Sequence, residues 1–183
     1  LCGYAGLCQL LCENRPLVAA ISECVGEIWT TAYENMASIP EVGALVISDD
    51  LGYKTQTLIS PADLRRFVLP WHKRLARAIH DEGKPCILHS CGNLTAVMED
   101  LIEDVQIDAK HSYEDEILPV TETKRLYGDR IAVLGGFDLD RLCNGTEEEI
   151  RCHSAHLIET CGADGGYAFG SGNSIADYVP VEN

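Results

Sequence analysis

The residue types best suited to chemistry sit together at His89-Ser90-Cys91. On an extended segment residues two apart point to the same side, so an imidazole and a thiolate there can reach one ion. Zinc, a borderline-soft metal, accepts both nitrogen and sulfur. Two ligands do not make a site, and the same tripeptide suits a strand end where Cys91 packs in the core and His89 makes a hydrogen bond. Further polar residues lie at comparable places: Asp49-Asp50, Asn93, Lys110-His111, Asp138 and the Gly170-Ser171-Gly172-Asn173 run. Each falls at or just past the end of a short apolar run. In a barrel of parallel strands such positions converge on the face where active sites sit.

Other candidates have blander readings. Cys8 and Cys12 lie four apart on a helical pattern, which permits chelation but suits core packing better. Cys143, Cys152 and Cys161 recur every nine residues, a period that matches no metal geometry. His72, His80, His153 and His156 fall within helical patterns. Glu147 to Glu149 complement a helix dipole rather than a substrate.

The elements that must position these groups follow from period. Asn14-Arg15-Pro16 opens an amphipathic helix whose apolar stripe is Leu17, Ile21, Val25, Ile28, Ala32 and Met36. Residues 42–47 (VGALVI) read as a buried strand with Asp49-Asp50 at its C-terminal end. Ser60-Pro61-Ala62-Asp63 supplies a cap, a first-turn proline and an acid for a long helix that Pro70 should kink and Gly83 should end. Strands are predicted over 85–88, 105–109, 131–134 and 166–169, and helices over 94–102, 116–127 and from the Thr146-Glu149 capping box to about Cys161. Strands alternating with helices, without a hairpin signal, predict a single parallel α/β domain over residues 1–183. A (β/α)₈ TIM barrel needs about 250 residues, so this chain should supply about its last five strands. The sequence begins inside a helical pattern and stops where Pro180 starts another, so both ends look cut. A doubly wound sheet is the alternative, but its Gly-rich fingerprint is absent.

Composition narrows the function classes. Against 29 Asp+Glu stand 14 Lys+Arg, a formal charge of −15, with 46% hydrophobic residues. Such a balance repels phosphate backbones and anionic lipid headgroups, which argues against nucleic-acid and membrane partners. No apolar run approaches the roughly 18 residues of a spanning helix. Nine cysteines in 183 residues fall short of the roughly 8–10% of a disulfide scaffold. A cytoplasmic protein with reduced thiols is expected.

Several stretches, taken in order, carry a resemblance. Asp49-Asp50-Leu51-Gly52, Ile59-Ser60-Pro61, Leu69-Pro70, residues 88–93 (LHSCGN), Gly135-Gly136-Phe137-Asp138, residues 145–148 (GTEE) and the run from Gly170 to Asn183 look like the uroporphyrinogen decarboxylase superfamily. That superfamily also holds corrinoid-dependent zinc methyltransferases acting on thiol or folate-type acceptors. The resemblance implies the C-terminal part of a (β/α)₈ barrel. His-x-Cys-Gly is similar to the methyltransferase branch, where the matching pair binds zinc, which makes His89 and Cys91 metal ligands. In that branch a third cysteine ligand follows the glycine of the last strand's loop, whereas here the residue is Asn173, and an amide is a poor zinc ligand.

Strand spacing points to a replacement. Adjacent strands lie about 4.8 Å apart, so His111, one strand beyond His89, can complete a three-ligand site with Asp108 or Glu114 orienting an imidazole. The assignments are therefore His89, Cys91 and His111 for metal, Asp50 and Asp138 as catalytic carboxylates, and Lys110 and Asn173 for substrate. The resemblance implies methyl transfer between a corrinoid protein and a small acceptor, with zinc as cofactor. Its alternatives are porphyrinogen decarboxylation, a lyase reaction of porphyrin biosynthesis, and a non-catalytic corrinoid- or tetrapyrrole-binding module.

Overall fold

Local signals set most of the helix starts. The Asn14 side chain accepts the Leu17 N–H at 3.2 Å and begins α2 (Arg15–Ala37), which follows α1 (Gly3–Glu13). Thr146 and Glu149 close a reciprocal capping box at the head of α7 (Glu147–Gly162). A computed structural model describes residues 2–183 of the chain.

Five short strands, β1 (Leu45–Ser48), β2 (Cys86–His89), β3 (Ala109–His111), β4 (Ala132–Leu134) and β5 (Tyr167–Ala168), form one sheet. They lie in sequence order and every neighbouring pair is parallel. Unbroken order is that of barrel staves and differs from the reversed order of a doubly wound sheet. Helices α3 (Pro61–Phe67) and α4 (Leu69–Asp81) link β1 to β2, α5 (Val120–Tyr127) links β3 to β4, and α6 (Leu139–Asn144) with α7 links β4 to β5. Ile79, Leu88, Val97 and Leu101 anchor one apolar cluster, while Val120, Val133, Leu157 and Cys161 anchor a second. No helix among the described residues is long and apolar enough to cross a membrane.

Several elements depart from expectation for identifiable reasons. Pro70 does not kink one long helix. The chain breaks at Val68 instead, and Pro70 lies in the first turn of α4, where its missing N–H costs nothing. The stripe predicted for α2 is rotated: Val18, Gly26, Thr30, Tyr33 and Ala37 are buried, while Ile28 is 64% exposed. Gly26 sets that face, because a Cβ there would stand 2.0 Å from the Trp71 ring of α4. In place of an α-helix over 94–102 the chain makes a turn and then a π-helical segment, Asp100–Val105, with Leu94, Val97, Met98, Leu101, Ile102 and Val105 all buried. Gln106, with φ +65, then reverses the chain, so β3 starts at Ala109 rather than at Val105. Pro119 delays α5, since a residue before proline avoids the helical region. The Pro180 segment forms turns.

Strand β1 is buried on one face only. Leu45 and Ile47 are covered, whereas Val46 is 48% exposed and its carbonyl accepts the Tyr33 hydroxyl at 2.6 Å.

Candidate metal centre

The loops after β1 and β2 are locked together by backbone, and this brings Asp50 to Cys91. The fully buried Ser90 hydroxyl accepts the Leu51 N–H at 3.0 Å, and Asn93 N–H donates to the Tyr53 carbonyl at 2.8 Å. Between these two ties Cys91 N–H donates to Asp50 Oδ1 at 2.8 Å. A carboxylate held through one oxygen still offers the other. Parallel pairing of β2 with β3 sets His89 beside His111, and the imidazoles meet edge to edge, with centroids 4.9 Å apart and Nδ1 atoms 2.6 Å apart.

Cys91 is the hub. His89 Nε2 lies 3.7 Å from its sulfur, Asn173 Nδ2 donates to it at 3.1 Å and the Ser112 hydroxyl at 3.4 Å. Ser112 is buried and holds a left-handed φ of +85, a conformation that non-glycine residues adopt at a cost and that clusters at functional sites. Burial pushes the Cys91 thiol above its ordinary pKa and the Asp50 carboxylate pushes it further, against the Ser112 and Asn173 donors. Burial also raises Asp50, but the Cys91 hydrogen bonds and the charges of His89 and Lys110 outweigh it, and the carboxyl ends below its usual range. His111 is lowered by burial, with His89 and Lys110 adding to the effect and the Ser171 carbonyl opposing it.

Asp50, His89 and Cys91 each bring one ligand atom to within 4.8 Å of the others. Two would-be anions and an imidazole converge there, and a divalent cation held by them would relieve that conflict by favouring the ionised thiol. Zinc bonds of about 2.0–2.1 Å to nitrogen and about 2.3 Å to sulfur, at a tetrahedral angle, separate those atoms by about 3.6 Å. The observed 3.7 Å between His89 and Cys91 fits. Three protein ligands of mixed O, N and S type match the open pattern of a catalytic rather than a structural zinc.

The groups whose candidate ligand atoms converge within 4.8 Å include Asp50 and not His111. Both nitrogens of His111 face other partners, His89 Nδ1 at 2.6 Å and the Ser171 carbonyl at 3.2 Å. Asp108 does not orient an imidazole here; it accepts the Cys86 N–H and pairs with His80. Asp138 faces backbone: Oδ1 caps α6 through the Asp140 N–H at 2.8 Å, and Oδ2 accepts the Asp115 N–H at 2.9 Å. It shares a polar cleft with Asn173, Glu114 and Arg141.

Lys110 is 3% exposed and donates to the Ser90 and Ser112 carbonyls at 3.2 and 2.7 Å, with its ammonium 4.4 Å from the Tyr113 ring centre. Burial brings its pKa down to about 8. A lysine so enclosed braces the two loops on either side of the site. Sequence reasoning overlooked this brace, the Ser90 tie and the Ser112 donor. Only the clustering of serines and glycines after each strand hinted at them.

The sequence has relatives among known proteins. The family profile described as Uroporphyrinogen decarboxylase (URO-D) matches residues 2–183. A methylated-thiol–coenzyme M methyltransferase of Methanosarcina mazei is 30% identical over 130 residues, 70% of this chain and 32% of that protein. The uroporphyrinogen decarboxylase of Anaeromyxobacter dehalogenans is 32% identical over 126 residues, 66% of this chain and 33% of its own. That of Syntrophotalea carbinolica is 29% identical over 126 residues, covering 69% and 35%. The chain thus spans about a third of the length of the curated relatives it matches. With the match running from Cys2 to the last residue and the site residues on consecutive parallel strands, the chain belongs to the uroporphyrinogen decarboxylase family.

Proposed function

We propose that this chain is part of a (β/α)₈ barrel enzyme that passes a methyl group to a thiol, with Asp50, His89 and Cys91 holding zinc. The observation that carries this reading is the meeting of carboxylate, imidazole and thiol within 4.8 Å at the ends of β1 and β2. Similarity to a protein named for a methylated thiol and a coenzyme M acceptor supports the substrate class. The bound metal supplies a Lewis acid that lowers the pKa of an acceptor thiol. The chain's own residues do the rest. Asp50 is aimed by the Cys91 N–H, the Cys91 sulfur is steadied by Asn173 and Ser112, and Lys110 holds the loop carbonyls in place. A corrinoid protein is the proposed methyl carrier and partner.

A second reading, decarboxylation of a porphyrinogen, is favoured by the decarboxylase relatives that match over a similar span at 29–32% identity. In it Asp50 faces the tetrapyrrole, and no metal is needed. The two readings separate on the full chain. Methyl transfer requires about one zinc per chain, loss of that zinc in Cys91→Ala, and thiol-dependent demethylation of methylcobalamin. Coproporphyrinogen formation from uroporphyrinogen by a zinc-free protein reverses the assignment.

A further inference from the structure

His111 stands next to the ligand cluster yet outside it, and its two ring nitrogens are both engaged. Its Nε2 lies 3.2 Å from the Ser171 carbonyl oxygen. A carbonyl only accepts, so Nε2 carries the hydrogen and Nδ1 is left with a lone pair. That lone pair faces His89 Nδ1 at 2.6 Å, which must then be the donor. A neutral imidazole with its hydrogen on Nδ1 has its remaining lone pair on Nε2, the atom 3.7 Å from the Cys91 sulfur.

Resting on the zinc reading above, we infer that His111 is a positioning residue, its Nδ1 accepting the Nδ1–H of His89 so that His89 presents its Nε2 lone pair to the ion. Orienting groups of this kind behind metal-bound histidines are carboxylates, backbone carbonyls or waters in most sites. Here an imidazole relays the orientation from a carbonyl one step further out.

The surroundings are shaped for that relay. Gly135, with φ +83, lies against it, and a Cβ there would stand 2.5 Å from the Ser171 oxygen and 2.9 Å from His111 Nε2. Ser171 is itself held by β-type pairing with Phe137: Phe137 N–H donates to the Gly170 carbonyl at 2.9 Å, and Gly172 N–H donates to the Phe137 carbonyl at 2.6 Å. The loop after β5 is thereby coupled to a ligand on β2 through one side chain on β3.

The test uses the full chain with ¹⁵N-labelled histidine. Long-range ¹H–¹⁵N spectra of the metal-free protein should show His89 as the Nδ1–H tautomer and His111 as the Nε2–H tautomer, and added zinc should move the Nε2 signal of His89 further than either nitrogen of His111. His111→Phe keeps a planar ring at this position but removes both nitrogens, and should weaken zinc binding about 10–100-fold. His111→Gln keeps one acceptor and one donor, and should stay within a few-fold of the parent. An Nε2–H tautomer at His89, a zinc shift larger at a His111 nitrogen than at His89 Nε2, or a His111→Phe protein with unchanged zinc affinity each overturns the inference. If the parent takes up no zinc, the methyltransferase reading falls, while the tautomers of the metal-free protein still decide this one. Should His111→Phe fail to fold, the glutamine variant and the spectra carry the decision.

Discussion

Gly92 lies so close to Gly52 that a Cβ on Gly92 would stand 2.2 Å from the Gly52 carbonyl carbon. The contact is mutual, since a Cβ on Gly52 would meet Asn93 N and the Gly92 carbonyl carbon at 2.7 Å. This backbone contact lets the Cys91 N–H reach Asp50, so the meeting of these two candidate ligands depends on residues that have no side chain.

Gly92→Ala is therefore expected to harm both fold and site. The left-handed φ of +80 alone costs an alanine about 1–2 kcal/mol, and the collision with rigid backbone adds to it. Urea denaturation should show a lowered midpoint, and zinc affinity should fall more than tenfold as Asp50 is pushed from Cys91. A variant that melts and binds zinc like the parent would show that the loops part without consequence.

The order and sense of the strands were readable from the apolar runs, and so was the gathering of polar residues at their ends, because period and burial act locally. Type, position and the family resemblance named His89 and Cys91 as metal ligands and Asp50 as a catalytic carboxylate. What was not readable is which nitrogen faces which partner. His111, on β3, and Asp50, in the loop after β1, lie to either side of β2 at comparable distances in a spacing argument, and the clamp of Ser90 on Leu51 draws Asp50 to Cys91 while Gly135 makes room for His111 beside Ser171. The π-helical segment escaped for a similar reason: its apolar spacing is that of an α-helix, and the wider winding leaves no mark in residue type.

Lys110 makes stability depend on alkaline pH. Its folded pKa of about 8 lies below the usual 10.5 of the unfolded chain. Below pH 8 both states hold the proton and the fold bears the full cost of the buried cation. Between 8 and 10.5 the unfolded chain binds more protons than the folded one, so stability rises with pH across that window. Lys110→Met leaves the Ser90 and Ser112 carbonyls without their donor, a loss that does not vary with pH. Urea midpoints at pH 7 and pH 10 should therefore show the parent gaining on the variant at the higher pH. Parallel profiles would mean that the ammonium is not desolvated as its 3% exposure implies.

Asp138 provides a contrast between structural and catalytic carboxylates. Both its oxygens accept backbone N–H groups, from the first turn of α6 and from Asp115. Asp138→Ala should cost about 1–2 kcal/mol, the scale of a lost helix cap, and leave the zinc content at the parent's level. Unaltered thermal stability combined with lost turnover would restore Asp138 to a role in the chemistry.

Asn173 marks the place where a fourth donor can be installed. Its Nδ2 is 3.1 Å from the Cys91 sulfur, so this side chain already reaches the rim of the ligand cluster from the loop after β5. As an amide it donates to sulfur and adds nothing to the coordination of an ion. A thiol at the same position is shorter by one atom but ionises on metal binding, and Gly172, where a Cβ would stand 2.3 Å from the Tyr113 carbonyl oxygen, fixes the backbone that carries it. Asn173→Cys should then tighten zinc binding at least tenfold in competition with a chromophoric chelator. Cobalt(II) substituted for zinc should gain thiolate-to-metal charge-transfer intensity from a second sulfur. Filling the open position should also slow any reaction that needs an acceptor thiol on the metal, so affinity and turnover are expected to move in opposite directions. Unchanged affinity, with charge-transfer intensity for one sulfur only, would place Asn173 too far from the ion to serve as a ligand position and would leave its contact with Cys91 as its whole role.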